Sequence, residues 1–388
     1  MYRTLLIIST IAALSKTSSA AISHQIYPGT VTRPILSEEE SDRFVTKNYL
    51  TDWNPEEITI PVTPDYVVKT GESIQAAVNE AINAGGSTRK FIKIEVGIYR
   101  ETVYVPGNVP ITIYGGGYTP YEVEIVQNIS ANAPISDYVD IVNPNGKRYR
   151  EGDPAWEMYK ECSKRSDKIG TNCSAVFWVT NNAFQLTKVT VINRGIDEQA
   201  VAAKIDADQV QLVNSVFIGA QDTLYLGATS GRKRVYTYRC HIEGDVDFIF
   251  GEASAVFNMC TVKAVNARFR GTAIIFAPNT PPEESFGFLV LNSTITGDED
   301  FLDTNKVSLA RSWDTGVKTP DDYVPGHSPN GQLVIKYTQI DKIINVSGPY
   351  APSATSSRPF SGNIALDRNL DDKKFNRLWE YNNYGDGA

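Results

Sequence analysis

The sequence of 388 residues predicts an all-β fold, a single-stranded right-handed parallel β-helix with a short capping helix near its N-terminus. The main observation is a nine-residue frame that recurs without internal gaps, with successive copies starting 26, 25, 20 and 33 residues apart. The copies are QLTKVTVIN from Gln185, QLVNSVFIG from Gln211, YTYRCHIEG from Tyr236, VFNMCTVKA from Val256 and LVLNSTITG from Leu289. Repeats in one frame are typical of solenoids, whose units bury their apolar faces only by stacking on their neighbours.

Two further observations favour the same fold. An apolar residue occupies the seventh place of every copy: Val191, Phe217, Ile242, Val262 and Ile295. Short runs rich in Val, Ile, Tyr and Phe, such as FIKIEVG, TVYV, ITIYG and VEIV, are separated by glycine or polar turns and are typical of strands. A β-sandwich would also contain many short strands, but it would not need equivalent residues to recur in one frame. We therefore favour the β-helix over the sandwich.

The chain divides into three predicted segments. Residues 1–20 have the basic start, short apolar middle and small-residue end of a secretory signal peptide, too short to span a bilayer. Residues 21–66 are polar and interrupted by prolines, which indicates an extended N-terminal arm, and residues 67–388 form the β-helix domain. In that domain, Ser73 is a plausible cap for a helix that runs to Ala84 and covers one end of the coil. We expect a long loop from about residue 136 to 173, and a tail from Val346 that packs on the outside.

The charge balance bears on partners. The formal net charge is −8, and removal of residues 1–20, which hold Arg3 and Lys16 and no acid, makes it −10. This argues against nucleic acid and against an anionic membrane as partners, and it predicts weak long-range attraction for a fully ionised polyacid. The signal peptide predicts a secreted, extracellular protein. We take a monomer as the working expectation. Four sequons are compatible with glycosylation: Asn128, Asn172, Asn292 and Asn345.

The four cysteines suit an oxidising compartment. Cys240 and Cys260 both lie five residues into a frame, so in a coil they would stack, and we predict a disulfide between them. By remainder, Cys162 is predicted to pair with Cys173. No CxxC or CxxH spacing supports zinc, and we expect neither a metal nor a cofactor.

Two aspartates occupy one position of the repeat. Asp222 and Asp247 each lie eleven residues past the start of a frame, so they are expected on neighbouring turns, about 4.8 Å apart at the backbone. Two close carboxyls rarely both ionise, so one can act as an acid while the other acts as a base or nucleophile. The alternative is that stacked aspartates cap turns or bind calcium. An amide, Gln221, precedes Asp222, and aromatic and aliphatic residues surround Asp247, which favours the catalytic interpretation.

Three motifs resemble signatures of the pectin methylesterases, a family of β-helical carbohydrate esterases. Gln221 to Leu224 reads QDTL, Val246 to Gly251 reads VDFIFG, and Leu309 to Trp313 reads LARSW where the family has LGRPW. Weaker matches are GIYRETV from Gly97, QAVA from Gln199 and the ending WEYNNYGDGA. The resemblance runs from about residue 67 to the C-terminus and lacks the pro-region of many plant members. It implies hydrolysis of methyl esters in pectin.

The resemblance also implies roles for individual residues. Asp247 would attack the ester carbonyl, and Asp222 would act as general acid and then as base. Gln199 and Gln221 would donate hydrogen bonds to the oxyanion, and Arg311 would hold Asp247. The substrate-binding residues would be Trp313, Tyr225 and Phe250. Each has a plainer alternative: Gln199 as a polar strand residue, Arg311 as a surface arginine, and the aromatic residues as packing.

Asp245 is a rival nucleophile, because it would point the same way as Asp247 on a regular strand. Ala310 and Ser312 depart from the LGRPW motif, and Ala220 stands where many members carry an aromatic residue. No GxSxG motif supports a serine esterase, and we expect His24, His241 and His327 to lie outside the site. The competing functions are a β-helical pectin glycoside hydrolase with two acids and an inactive carbohydrate-binding β-helix.

Overall fold

The computed structural model describes residues 29–229, 231–268 and 270–388. The predicted signal peptide and the first part of the arm lie outside these residues. The described chain forms a parallel β-helix with three faces, a ten-stranded, an eight-stranded and a seven-stranded sheet. Each complete turn of the coil contributes one strand to each sheet, the turns at the two ends contribute fewer, and all pairings within the three sheets are parallel. The predicted fold class is therefore confirmed.

The strand bounds follow the chain from the N-terminal end of each sheet. The ten-stranded sheet contains Tyr66–Val68, Lys90–Ile94, Ile111–Gly115, Gln185–Thr187, Val210–Val213, Arg234–Tyr238, Ser254–Asn258, Phe288–Leu291, Gln332–Lys336 and Arg377–Tyr381. The eight-stranded sheet contains Gly97–Tyr99, Val123–Gln127, Thr190–Asn193, Val216–Ile218, His241–Gly244, Thr261–Ala264, Thr294–Gly297 and Gln339–Ile340. The seven-stranded sheet contains Val103–Val105, Phe177–Val179, Ala203–Ile205, Leu224–Leu226, Val246–Gly251, Ala273–Pro278 and Val307–Ala310. A separate antiparallel pair joins Gly29–Thr30 to Arg33–Pro34.

The helices are short and lie outside the coil or at its end. The α-helices are Glu38–Ser41, Thr46–Leu50, Ile74–Asn83, Ile135–Val142, Trp156–Ser163 and Gly170–Cys173. The 3-10 helices are Pro120–Glu122, Pro144–Gly146, Glu299–Phe301 and Pro320–Asp322. None of the helices in the described ranges has the length and apolar character needed to cross a membrane.

The register of the strands reproduces the predicted frame. The five frame starts pair in sequence: Gln185 with Gln211, Gln211 with Tyr236, Tyr236 with Val256, and Val256 with Leu289. The five apolar seventh positions pair in the same way on the eight-stranded sheet, and all are fully buried in one continuous core. Stacking of these side chains buries the apolar face that a single turn would expose.

The predicted capping helix is present as Ile74–Asn83. The Ser73 side chain accepts a hydrogen bond from the Ala76 backbone N–H, as expected for an N-cap. Ile74 and Val78 are fully buried against the first strands of the coil. The helix thus covers apolar residues that would otherwise end the core in water.

The arm differs from the prediction in its described part. It carries a hairpin and two short helices, and its apolar side chains pack on the outer face of the ten-stranded sheet. These side chains are Leu36, Phe44, Tyr49 and Leu50, and they contact Val256, Leu289, Val334 and Trp379. Burial of these residues attaches the arm to the coil, which its proline content did not indicate.

Two other segments differ from expectation. The region from residue 136 to 173 is not a structureless loop, because three α-helices within 135–173 pack on the outer face of the seven-stranded sheet. Tyr149 stacks between Tyr104 and Tyr159, with ring centroids 4.9 and 5.3 Å apart, which fixes the segment to the sheet. The tail is partly inside the coil, because Arg377–Tyr381 adds the last strand of the ten-stranded sheet.

The predicted disulfides have opposite outcomes. Cys162 and Cys173 are bonded, but Cys240 and Cys260 are both free and buried, so the prediction for that pair is wrong. The two cysteines do stack in register, next to the paired His241 and Thr261. In-register neighbours hold parallel side chains about 4.8 Å apart, whereas a disulfide needs Cβ atoms about 3.8 Å apart. Each thiol instead contacts a backbone carbonyl of the preceding turn, Leu212 and Thr237 respectively.

Candidate active site

Asp222 and Asp247 lie side by side on consecutive turns. The pairing of Leu224 with Ile249 places residues 25 apart next to each other, and 25 residues also separate the two aspartates. The Asp222 backbone N–H donates to the Val246 carbonyl at 3.1 Å, which locks the two turns together at this point. The two carboxyls are thus brought together as the frame predicts.

Both aspartates have left-handed backbone conformations, with φ of 67° at Asp222 and 49° at Asp247. Such values are uncommon outside glycine, although aspartate tolerates them better than most residues. A register shift between Val246 and Ile249 accompanies the second one. Backbone of this kind concentrates at functional sites, where it aims a side chain away from the direction that a regular strand would give it.

Arg311 fixes the Asp247 carboxylate. Its Nε lies 2.8 Å from Oδ1 and its Nη2 lies 2.5 Å from Oδ2. This is a bidentate, charge-assisted pair, which holds both the position and the plane of the carboxylate. Asp247 is only 7% exposed. Ala310 and Ser312 replace the glycine and the proline of the LGRPW motif, but they do not displace Arg311.

The electrostatic environment of Asp222 differs from that of Asp247. Burial, and next the negative charge of Asp247, raise the pKa of Asp222 well above its ordinary value, against the opposing effects of Arg268 and Arg311. Asp222 is 9% exposed. A buried carboxyl beside a carboxylate keeps its proton, since two adjacent charges would repel in a medium of low dielectric. Burial and the neighbouring carboxylate therefore favour the protonated form of Asp222.

Asp245 faces away from its predicted direction. Its two carboxylate oxygens accept from Arg268, Oδ2 from Nε at 2.6 Å and Oδ1 from Nη2 at 2.9 Å. The interpretation of Asp245 as the nucleophile assumed that side chains alternate regularly along the strand. The irregular backbone at Asp247 interrupts this alternation. Asp245 is absent from the described residues that line the pocket around Asp247. The pocket thus contains Asp247, the preferred nucleophile, and not its rival Asp245.

A single pocket of about 510 Å³ collects every predicted catalytic and substrate-binding residue. These are Gln199, Gln221, Asp222, Tyr225, Asp247, Phe250, Arg311 and Trp313. Gln199 and Gln221 both line the pocket, and neither side-chain amide nitrogen donates to another described residue. His241 pairs with Glu243 and, like His327, lies outside the pocket, while His24 falls outside the described residues.

The aromatic residues of the pocket have two different environments. Tyr225 and Phe250 stack with ring centroids 4.2 Å apart and are largely buried. Trp313 meets both rings edge-on at 6.0 and 5.6 Å and is only half-buried. Tyr225 and Phe250 thus support the indole, and Trp313 presents the larger exposed aromatic surface. The alternative interpretation, in which the aromatic residues serve only for packing, therefore applies in part to Tyr225 and Phe250.

The pocket wall contains residues that the sequence analysis missed. Arg165, Thr171 and Asn172 come from the segment bounded by the Cys162–Cys173 disulfide, and Ala354 and Thr355 come from the tail. The predicted disulfide between Cys162 and Cys173 could have pointed to Arg165, Thr171 and Asn172, because a disulfide marks a constrained loop. No sequence feature pointed to Ala354 and Thr355. In the described part of the chain, no group of three His, Cys, Asp or Glu residues is placed to hold a metal ion.

A buried network under Trp313 explains how the departure at Ser312 is accommodated. The Ser312 hydroxyl donates to Asp314 at 2.5 Å and accepts from the Gly331 N–H at 2.8 Å. Arg358 donates to the same Asp314 carboxylate through two nitrogens. A hydroxyl with hydrogen bonds on both sides thus holds the segment between Arg311 and Trp313, a position where the family motif has the rigid ring of proline.

Comparison with known proteins identifies the family. A family model described as Pectinesterase matches residues 158–319, which include all eight predicted site residues. A pectinesterase of Sitophilus oryzae is 47% identical over 374 residues, covering 95% of this chain and 97% of that protein. A protein of Escherichia coli named putative acyl-CoA thioester hydrolase YbhC is 38% identical over 403 residues, covering 94% of this chain and 91% of that protein.

Similarity to a solved structure extends over the whole coil. The structure of rice weevil pectin methyl esterase superposes with a TM-score of 0.90 at 47% sequence identity, covering 94% of this chain and 100% of that chain. Identity of this order over nearly the full length of both proteins, together with the paired aspartates and Arg311, identifies the family. The chain belongs to the pectinesterase family and is an esterase.

Proposed function

We propose that this protein hydrolyses the methyl esters of galacturonate units in pectin and releases methanol. The proposal extends to a secreted enzyme that acts outside the cell as a monomer, with no cofactor. The observation that carries it is the pair of aspartates in one pocket, one with a pKa raised by burial and by its neighbour and the other fixed by Arg311. Such a pair supplies an acid and a nucleophile within reach of one ester.

In the first half of the reaction, the Asp247 carboxylate attacks the ester carbonyl carbon. A carboxylate oxygen forms the new bond, and the resulting oxyanion accepts hydrogen bonds from the amides of Gln199 and Gln221. As the tetrahedral intermediate collapses, the bond to the methoxy oxygen breaks. Asp222 gives its proton to that oxygen, so methanol leaves as a neutral molecule. The product of this half is an acyl-enzyme on Asp247.

In the second half, water replaces methanol. Asp222, now ionised, accepts a proton from the water as the water oxygen attacks the acyl carbon. Cleavage of the acyl bond restores the Asp247 carboxylate and releases the galacturonate carboxyl group. Arg311 keeps the Asp247 carboxylate in one orientation through both halves, and Trp313 supplies an apolar face for the sugar ring.

The test is methanol release from highly methylated pectin by the purified protein, with reducing ends measured in parallel. We expect methanol without new reducing ends, and no methanol from Asp247→Asn. Asp303→Asn is the matched control, because Asp303 is exposed and, among the described residues, its side chain pairs only with Lys342 on the surface. New reducing ends would indicate a glycoside hydrolase instead. Binding of pectin without methanol release would indicate an inactive carbohydrate-binding protein.

The Escherichia coli relative supplies a competing substrate for the same assay. An acyl-CoA thioester also undergoes acyl transfer, so free thiol release is measured with such a thioester under the same conditions. We expect turnover of the pectin ester to exceed that of the thioester. Thiol release without methanol release would overturn the proposed substrate.

A further inference from the structure

A buried ion pair adjoins the pocket and takes no direct step in the proposed chemistry. The side chains of Arg268 and Asp245 are 4% and 3% exposed, and two of the arginine nitrogens bind the two oxygens of Asp245. The third nitrogen, Nη1, donates to Oε1 of Gln221 at 2.7 Å. A buried ion pair is poor evidence of stability by itself, because desolvation offsets its Coulombic gain. Its contact with a residue of the pocket suggests another purpose.

The contact fixes which way the Gln221 amide points. Arginine carries only donors, so the atom of Gln221 that faces Arg268 must be the carbonyl oxygen. The opposite orientation would set two donors against each other in a buried site. The NH2 group of Gln221 is therefore left for the pocket, where no described residue accepts from it.

We propose that Arg268, held in place by Asp245, is a positioning residue that keeps the Gln221 amide turned with its NH2 group toward the reacting ester. This rests on the proposed function, because it assigns Gln221 a donor role. It also gives a role to Asp245, which the sequence analysis considered as a rival nucleophile. Asp245 acts on the substrate through two intervening residues, Arg268 and then Gln221.

The geometry requires arginine at this position. Nε and Nη2 point toward Asp245 while Nη1 points toward Gln221, so one planar group satisfies three acceptors in fixed directions. A lysine ammonium has the same charge, but it is a single point on a flexible stem and cannot reproduce the three directions. Arg268→Lys therefore separates positioning from charge.

The experiment is a double-mutant cycle between Arg268→Lys and Gln221→Ala, read as kcat and KM for methanol release. Loss of an oxyanion donor lowers kcat by about 100- to 1000-fold, and we expect a loss of this order for Gln221→Ala. Arg268→Lys is expected to lower kcat by about 10-fold or more with KM nearly unchanged, since it weakens an interaction needed in the transition state. In the combined variant the second substitution should add almost nothing, because the amide that it positions is absent.

Asp245→Asn is the second arm of the test and covers the case in which Arg268→Lys does not fold. It keeps the shape of Asp245 but weakens its hold on Arg268, so kcat should fall in the wild-type background and not in Gln221→Ala. Gln221→Glu keeps an acceptor for Arg268 but removes the donor, and it should be as slow as Gln221→Ala.

The outcomes separate this proposal from the proposed function. Equal losses of kcat in both backgrounds would show a general structural role and would overturn the proposal, as would an unchanged kcat in Arg268→Lys. If the wild-type protein releases no methanol at all, the proposed function fails first. Thermal unfolding of each variant shows whether a loss of kcat accompanies a loss of fold.

Discussion

At the scale of single residues, the environment of Asp222 links catalysis to stability. Its pKa is raised by burial and by Asp247, so the folded protein binds this proton more tightly than the unfolded chain, whose aspartates have a pKa of about 3.9. The stability that the proton confers is fully present below the unfolded pKa. It is lost as the pH rises through the folded pKa, because ionisation then costs free energy only in the folded state.

Asp222→Asn is therefore expected to be slower but more stable. Without its general acid, kcat should fall by about 100- to 10,000-fold. The asparagine is neutral at every pH, so the variant should melt at a higher temperature than the wild type near pH 7, and the difference should shrink toward about pH 3. Melting curves across this range, beside methanol release, give both quantities. A variant that is less stable at neutral pH, while Asp303→Asn leaves the melting temperature unchanged, would contradict the argument.

Some residues could be assigned from the sequence and others could not. Asp222 and Asp247 could be paired because the frame fixes their register, and Arg311 could be assigned through its motif. The turn of Asp245 toward Arg268 could not be predicted, since it depends on the left-handed backbone at Asp247 and on a loop 23 residues away. The contact of Arg268 with Gln221 spans 47 residues and has no sequence signature.

At the scale of structural elements, the segment from Arg311 to Asp314 depends on the buried network around Asp314. Ser312→Ala removes a donor from this carboxylate and leaves the buried N–H of Gly331 without its acceptor. Loss of such bonds costs about 1–3 kcal/mol, and we expect the free energy of unfolding to fall by that amount in a denaturant titration. KM should rise as Trp313 becomes less constrained.

The control for this variant is Ser308→Ala, two strand positions before Ala310. The Ser308 hydroxyl makes no side-chain hydrogen bond within the described ranges, so the substitution should change the free energy of unfolding by less than about 0.5 kcal/mol. If both variants are equally stable, the network does not support the segment.

The segment between Cys162 and Cys173 is a wall of the pocket held by a disulfide. It contributes Arg165, Thr171 and Asn172, so replacing both cysteines with alanine should raise KM more than it lowers kcat. Closing a loop of this size stabilises a protein by about 2–4 kcal/mol, which should be lost in the same variant. Kinetics and denaturant unfolding of the double variant measure the two effects. A change in kcat alone would place the segment in the chemistry rather than in binding.

The remaining two thiols should be countable and inert. Burial raises the pKa of Cys240 well above its usual value and that of Cys260 to about 12, and the thiolate is the reactive form. An alkylating reagent should therefore modify neither in the native protein. Both should react after unfolding without reductant, which mass spectrometry detects. A reduced sample, with four modified cysteines, is the control, and no modification after unfolding would mean that the pair is oxidised.

The repeat pattern predicts the stacking of the strands, but it does not predict the disulfide state of Cys240 and Cys260 or the helices outside the coil. Apolar residues at the seventh place specify the strand stack, because a shift of one residue would turn them outward. The frame also placed Cys240 next to Cys260 correctly, but it carries no information on the distance between their Cβ atoms. The helices of 135–173 escaped prediction because their apolar residues pack on a sheet distant in sequence.

At the scale of the whole molecule, contacts between the two ends of the chain complete the coil. Arg33 forms two hydrogen bonds of 2.8 Å with Glu380, across 347 residues, and Arg234 binds both Asp52 and Asp208. These pairs hold the arm against the ten-stranded sheet beside its apolar contacts. Local sequence patterns cannot predict them, because each partner alone is an ordinary charged residue in the sequence.

The net charge of the molecule opposes its own product. With a formal charge of −8, or −10 without the predicted signal peptide, the protein repels a polymer of ionised galacturonate, whereas fully methylated pectin carries little charge. Salt screens this repulsion, since the Debye length is about 30 Å at 0.01 M and about 10 Å at 0.1 M. We therefore expect KM for sparsely methylated pectin to fall severalfold over this range of sodium chloride, while KM for highly methylated pectin changes little.

Arg165 distinguishes the charge of the whole molecule from that of the pocket. It is a partly exposed cation of the pocket wall, 3.8 Å from Glu161, and it can attract a free carboxylate locally. Arg165→Gln should raise KM for sparsely methylated pectin at every salt concentration but keep the fall of KM with salt, because the net charge stays negative. If KM of the wild type instead rises with salt, and this rise disappears in Arg165→Gln, local attraction in the pocket outweighs the repulsion by the molecule as a whole.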